Sequence, residues 1–370
     1  MNVTTSLPTR TVFCAQAGFE AARQIDALPA GHPSGRLHGH GFVARLRCAL
    51  PAGRARFPGG EIELLRDELQ TGVALLDHRL LNEQVANPTD AQLARWLRGR
   101  LDLSGPVELG VQSTAQRGAQ VDESGRVTLW RRYAFQSAHW LPNVPLGHKC
   151  GKMHGHGFEA VLHVRTSDAS GDTTLSHDDL DAIWAPLHSQ LNYGCLNDQP
   201  GLANPTSELL ASWLWERLAP QLPGLATVTV YETGSCGAVF DGVLHRIWKE
   251  MTLDAAVQLR QAPDGSGLRR LHGHTYTLRL HLAAPLDELL GWAVDFGDVK
   301  SAFNPIFRQL DHQPIHEIAE LADGDTARIA SWIAEQARRE LPQLDRVDLF
   351  ETPGCGAIVS VGDVALTGPM

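Results

Sequence analysis

Side chains able to bind a transition metal or move a proton cluster in one short stretch, FQSAHWLPNVPLGHKCGKMHGHGF at 135–158, among them His139, Cys150, His154 and His156. His154 and His156 are one residue apart, so on an extended strand both rings project to the same face. With His139 on a neighbouring strand they form a three-nitrogen set. Such a set leaves a fourth tetrahedral position for water or substrate, as in a catalytic rather than a structural zinc site. An HxH pair alone more often marks a close backbone approach through its glycine. The third histidine and the cysteine turn the reading towards a metal, and one zinc per chain is expected. Cys150 stands between Lys149 and Lys152, whose charge favours a thiolate able to act as base or nucleophile.

The same outline recurs as FEAARQIDALPAGHPSGRLHGHGF at 19–42 and LDAAVQLRQAPDGSGLRRLHGHTY at 253–276. The HGH tripeptides begin at His38, His154 and His272, 116 and 118 residues apart. In the outer copies the first histidine is replaced by Arg23 or Val257, and the cysteine by Ser34 or Leu268. Each is left with two histidines, His38/His40 and His272/His274, and no zinc is expected there. Three ordered markers per copy indicate a triplication: repeat 1 over 10–120, repeat 2 over 127–244 and repeat 3 over 245–370.

Two further motifs bear on proton transfer. Asp77-His78 and Asp311-His312 each put a carboxylate beside an imidazole, whereas repeat 2 has Asn192-Tyr193. The copy that keeps the metal ligands thus lacks the dyad, and the copies that lack the ligands keep it. Glu232 and Glu351 end apolar strands, where a carboxylate can accept paired N–H donors of a planar heterocycle; the same place in repeat 1 reads as Gln112.

Local patterns supply the elements that carry these groups. HGHGFEAVLHV and HGHTYTLRLHL alternate polar and apolar residues, as half-buried strands do. SHDDLDAIWAPLHSQL reads as a helix, and PTSELLASWLWERL as a second one capped by Thr206 or Ser207. VTVYET and its equivalents are closing strands. Each repeat is therefore ββααββ, an α+β unit with helices on one face of an antiparallel sheet.

Hydrophobic content of 43% and charged content of 20% fit a soluble globular protein. No apolar run is long enough to span a membrane, and no basic region with an apolar core precedes the first repeat, so neither membrane nor export is expected. Six scattered cysteines suggest free thiols in a reducing, cytoplasmic setting. A net charge of −10 argues against a nucleic-acid partner.

At FQSAH, HKCGKMHGHGF, LDH, NPTSELLASWLWERL and YET the chain resembles the 6-pyruvoyltetrahydropterin synthase and bacterial 6-carboxytetrahydropterin synthase family, as a three-repeat fusion. Three residues separate Cys150 from His154, as in the bacterial queuosine-pathway enzyme; the pyruvoyl enzymes usually have a longer spacing. The resemblance implies a tunnelling fold, with the three repeats closing one pseudo-trimeric antiparallel barrel of twelve strands and helices outside, and a homodimer stacking two barrels. It also implies sites shared between neighbouring units: zinc on His139, His154 and His156, Cys150 beside it, an Asp-His dyad from a neighbour, and Glu232 or Glu351 anchoring the pterin. The activity so implied is a carbon–carbon lyase converting 7,8-dihydroneopterin triphosphate to 6-carboxy-5,6,7,8-tetrahydropterin, in 7-deazaguanine and queuosine biosynthesis. Pyruvoyltetrahydropterin formation, another pterin side-chain cleavage, or non-catalytic pterin or zinc binding are the alternatives. LLDHRLLN in repeat 1 is nearer the family pattern, which leans towards Asp77-His78 as donor. TLSHDDL departs from the family's Asp-Phe pair, which repeat 3 keeps as VDFGDVK, and leaves the support of that helix start open.

Overall fold

The computed structural model describes residues 9–166 and 175–362. Repeat 1 contributes β1 (Thr9–Arg23), β2 (His38–Cys48), α1 (Glu61–Ala74), β3 (Arg79–Leu80), α2 (Asp90–Arg98), β4 (Val107–Thr114) and β5 (Arg117–Val121). Repeat 2 follows with β6 (Val127–His139), β7 (His154–Arg165), α3 (His177–Leu191), β8 (Gly194–Cys195), α4 (Ser207–Leu218), β9 (Leu225–Thr233) and β10 (Cys236–Phe240). Repeat 3 has β11 (His245–Val257), β12 (His272–Ala283), α5 (Phe296–Leu310), β13 (Gln313–Pro314), α6 (Thr326–Ala337), β14 (Leu344–Thr352) and β15 (Cys355–Val361). Each repeat is ββααββ with a two-residue strand inserted between its helices.

The twelve long strands pair in the order β10-β9-β7-β6-β5-β4-β2-β1-β15-β14-β12-β11, and β10 pairs β11 to close the ring. Closure removes the exposed edges that an open sheet would present. This is the tunnelling fold: a twelve-strand antiparallel barrel with six helices among the described residues.

Strand alternation divides the core. In β7, Phe158, Ala160, Leu162 and Val164 pack with Trp184, Leu187, Leu210 and Leu214 of α3 and α4, and repeats 1 and 3 bury equivalent clusters under their own helices. Side chains of opposite parity meet in a separate cluster of Trp130, Val161, Tyr231, Val239 and Trp248. Buried on both faces, β9 reads as the near-continuous apolar run LATVTVY.

Helix starts follow local chemistry. Thr206 caps α4 by accepting from the Leu209 amide at 3.2 Å. The unusual TLSHDDL start is supported: Ser176 and Asp179 form a reciprocal capping box on α3.

Candidate metal centre and active site

β6 and β7 form an antiparallel pair in which His139 lies opposite His154 and Ser137 opposite His156. Three rings from two neighbouring strand ends thereby converge. Their ligand atoms all lie within 4.8 Å of one another. His139 Nδ1 faces the Pro205 carbonyl at 3.1 Å and His154 Nδ1 the Lys152 carbonyl at 2.7 Å. A carbonyl only accepts, so both Nδ1 atoms carry the proton and both Nε2 lone pairs point elsewhere. Nε2 of His139 and of His156 are buried without a hydrogen-bond partner. Burial, helped by the adjacent imidazoles, holds both rings below the ordinary histidine range and hence neutral. Neutral, orphaned, convergent imidazoles are the donor set that zinc takes.

Cys150 sits on a single 3-10 turn, Lys149–Gly151, opened by His148, whose Nδ1 accepts from the Cys150 amide at 3.2 Å. The superposable turns in repeats 1 and 3 carry Ser34 and Leu268. The expectation that flanking lysines depress the thiol pKa is overturned. Burial, with the nearby carboxylates of Glu232 and Asp295, pushes the Cys150 thiol up and outweighs Lys149.

Glu232 closes the pocket at the end of β9. Its Oε1 lies 3.5 Å from His156 Nε2, and its Oε2 accepts from Ser207 Oγ at 2.6 Å. In repeat 3, Glu351 accepts likewise from Thr326 Oγ1 at 2.6 Å. Repeat 1 corrects the sequence reading by one residue. Gln112 pairs Val43 just as Tyr231 pairs Glu159 and Phe350 pairs Thr277, so Ser113, not Gln112, matches the glutamates. A one-residue slip on a strand exchanges faces, and the bulges at these strand ends hide the register.

The outer pairs are built differently. Arg23 fills the place of His139, giving Nη1 to Asp90 Oδ1 at 2.6 Å and to the Pro88 carbonyl at 3.1 Å, with its guanidinium over Phe42. Asp90 also accepts from Ser113 at 2.8 Å. Carboxylate and hydroxyl have thus exchanged positions relative to Glu232 and Ser207. In repeat 3, Val257 offers no ligand opposite His272. Among the described residues the only other group of three with metal-ligand spacing is the Asp254, Asp311 and His312 set, largely at the surface.

The dyads have a structural base common to all repeats. Asp77 Oδ1 accepts from the Glu20 amide at 2.8 Å, Asn192 Oδ1 from that of Gln136 at 2.9 Å, and Asp311 Oδ1 from that of Asp254 at 3.1 Å. His78, Tyr193 and His312 follow with φ of 53°, 57° and 57°, a left-handed conformation held by the same strand. Only the aspartates add an imidazole contact, 3.0 Å to His78 Nδ1 and 2.9 Å to His312 Nδ1. Asp311 raises the pKa of His312 through that hydrogen bond.

Strand edges distinguish the two dyads. β13 pairs β11 at Ala255 and Ala256, on the edge that β10 occupies from His245 to Lys249. Asp311-His312 therefore lies beyond the β9–β10 hairpin of repeat 2, which carries Glu232. β3 pairs β1 at Ala21 and Ala22, on the edge held by β15, which sets Asp77-His78 towards Glu351 of repeat 3. A cavity of about 420 Å³ opens between Ser235 of that hairpin and α5, lined by Lys249, Met251, Lys300, Phe303 and Phe307. Phe307 precedes Asp311 by one helical turn.

Repeat 3 also walls the centre in a way that local motifs do not reveal. Thr206 Oγ1 donates to the Gly291 carbonyl at 2.7 Å, Asn143 Nδ2 to that of Leu289 at 2.7 Å, and Asn204 Nδ2 to that of Leu290 at 2.8 Å. His148 Nε2 lies 3.6 Å from Asp295 Oδ2. Glu208, buried, accepts from the Ala293 amide at 3.0 Å, and burial pushes its pKa up to about 7. His148, Glu208 and Asp295 were not singled out by sequence, and Ser207 only as a helix cap; the repeated NPTSE segment was the one available hint.

Fold and site define the class: a tandem-repeat antiparallel barrel carrying one three-imidazole centre, walled by the next repeat. The chain belongs to the 6-pyruvoyl tetrahydropterin synthase family, whose profile matches residues 128–243 and 246–361, together more than half of the chain. It is 32% identical over 117 residues to a 6-carboxy-5,6,7,8-tetrahydropterin synthase of Synechocystis, covering 30% of this chain and 89% of that protein. It is also 32% identical over 84 residues to a dihydroneopterin monophosphate aldolase of Pyrococcus furiosus, covering 22% of this chain and 70% of that one. Among solved structures, the Caenorhabditis elegans 6-pyruvoyl tetrahydropterin synthase aligns with 18% identity and a TM-score of 0.29, covering 32% of this chain and 96% of that chain. Among the described residues no helix is long and apolar enough to cross a membrane.

Proposed function

We propose that this chain is a zinc-dependent 6-carboxy-5,6,7,8-tetrahydropterin synthase, acting on 7,8-dihydroneopterin triphosphate in the route to 7-deazaguanines, with one working site per chain. The observation that carries this reading is the convergence of three imidazoles, His139, His154 and His156, beside Cys150 and Glu232. The relative from Synechocystis bears the same activity in its name.

His139, His154 and His156 would hold the metal. When bound, zinc supplies Lewis-acid polarisation of the substrate's side-chain oxygens and a positive field favouring the Cys150 thiolate. Cys150 takes a proton from the activated side chain. Glu232, fixed by Ser207, accepts the N–H groups of the pterin edge. We assign the second proton-transfer group to Asp311-His312 rather than Asp77-His78. Repeat 3 supplies the strand edge beyond the hairpin that carries Glu232. His312, with its proton affinity raised by Asp311, suits a general acid that returns the proton.

The likeness to a dihydroneopterin monophosphate aldolase supports a second reading, a different cleavage of the same side chain. Incubation with 7,8-dihydroneopterin triphosphate and mass analysis of the pterin product separates the two. A 6-carboxy product and acetaldehyde support the synthase; absence of turnover by metal-loaded protein supports a binding role instead. Near-normal turnover by Cys150→Ala would remove the cysteine from the mechanism.

A further inference from the structure

Repeat 1 has exchanged the charges of its site rather than merely losing its function. The metal position holds Arg23, the anchoring glutamate is Ser113, and a third position has changed as well. Gly118 and Gly237 stand at matching points of β5 and β10, so Arg117 occupies the place of the buried Cys236. Arg23 and Arg117 line a cavity of about 220 Å³, together with His32, His177, Asn87 and Leu129 among others.

The charged groups of this cavity are unequally partnered. Asp90 is taken by Arg23 and Ser113, and Asp178 by His32 at 2.9 Å. Arg117 has no carboxylate partner among the described residues. Two polar atoms on the lining are buried and unpartnered, the donor Arg23 Nε and the acceptor Asn87 Oδ1, and Arg23 is 1% exposed. A buried donor without a partner is unfavourable unless something fills the site. Ile25, Leu28 and Leu129 form the apolar part of the wall.

We propose that the repeat 1 cavity is a metal-free binding site for a small molecule bearing a carboxylate or phosphate on a compact body, its oxyanion received by Arg117 and Arg23. Guanidinium forks fit both oxyanions, so the shared chemistry defines the class.

Titration calorimetry of the full chain tests this with inorganic phosphate in one arm and benzoate in the other. The expected result is one anion per chain. Arg117→Ala should weaken binding at least about tenfold, with partial recovery in Arg117→Lys. His139→Ala should bind as the parent does. Preference between the arms identifies the oxyanion. Ser34→Trp, which places a large side chain into the cavity from the loop, should abolish the heat. No binding in either arm up to about 10 mM, or loss through His139→Ala with Arg117→Ala unaffected, overturns the proposal. The readout is binding rather than turnover, so its failure leaves the reading of repeat 2 intact.

Discussion

His139 and Arg23 hold the same point of two equivalent hairpins. Each is the last residue of its strand, lies opposite the first histidine of an HGH, and reaches the carbonyl of the proline that precedes a helix cap. One completes a set of three convergent imidazoles. The other brings its own cation and a buried carboxylate to balance it. The difference replaces a metal-ready set of ligands by a buried ion pair without altering the backbone plan.

Metal content follows from that difference. The parent chain is expected to carry one zinc by elemental analysis, and His139→Ala to carry none, since two imidazoles and an open fourth side hold zinc weakly. Three zincs per chain would mean that the pairs His38/His40 and His272/His274 bind metal after all.

The Arg23–Asp90 pair makes a stability prediction. Both side chains are at most 4% exposed, so Arg23→Ala strands a buried carboxylate and is expected to cost about 3–5 kcal/mol in urea denaturation. Arg23→Met with Asp90→Asn should recover most of it. If Arg23→Ala alone leaves the midpoint unchanged, the pair contributes nothing.

Asparagine substitution isolates the dyad chemistry, because Asn192 already makes the same backbone contact in repeat 2. Asp311→Asn is expected to lower kcat by roughly 10²–10⁴ with stability retained, and Asp77→Asn to leave kcat nearly unchanged. Comparable losses from both, or a loss confined to Asp77→Asn, would reverse the assignment of the donor repeat.

Glu208 predicts a pH dependence. Its folded pKa is raised from 4.5 to about 7, so its contribution to stability is full below about pH 4.5 and is lost as pH rises through about 7. The difference is on the order of 3 kcal/mol. Glu208→Gln keeps an acceptor for the Ala293 amide and should flatten this part of the profile, measured by urea melts between pH 5 and 8.5. An unchanged profile would show that Glu208 does not titrate in this range.

A homodimer is expected from three matched apolar residues on one rim, Leu37, Met153 and Leu271, which are 64%, 60% and 63% exposed. A second copy presenting the same ring is the natural cover for such a surface. Sedimentation should give a dimer, and replacing all three by lysine a monomer; a monomeric parent chain ends the idea.

Much of this architecture was legible in the sequence because its signals are local. Strand alternation, the Thr206 cap and the spacing of His154 and His156 depend on a few neighbouring residues, and His139 is brought to them by the adjacent strand. The triplication made twelve strands and a closed ring the consistent outcome. Tertiary structure decided what depends on register, burial and the neighbouring repeat. Bulges shifted the anchor of repeat 1 from Gln112 to Ser113. Burial, with Glu232 and Asp295 distant in sequence, outweighed the effect of Lys149 on Cys150. Strand edges set Asp311-His312, rather than Asp77-His78, beyond Glu232. The physical reason is common to all three: periodicity records which face a side chain takes, whereas electrostatics depends on which other charges the closed barrel brings to that face.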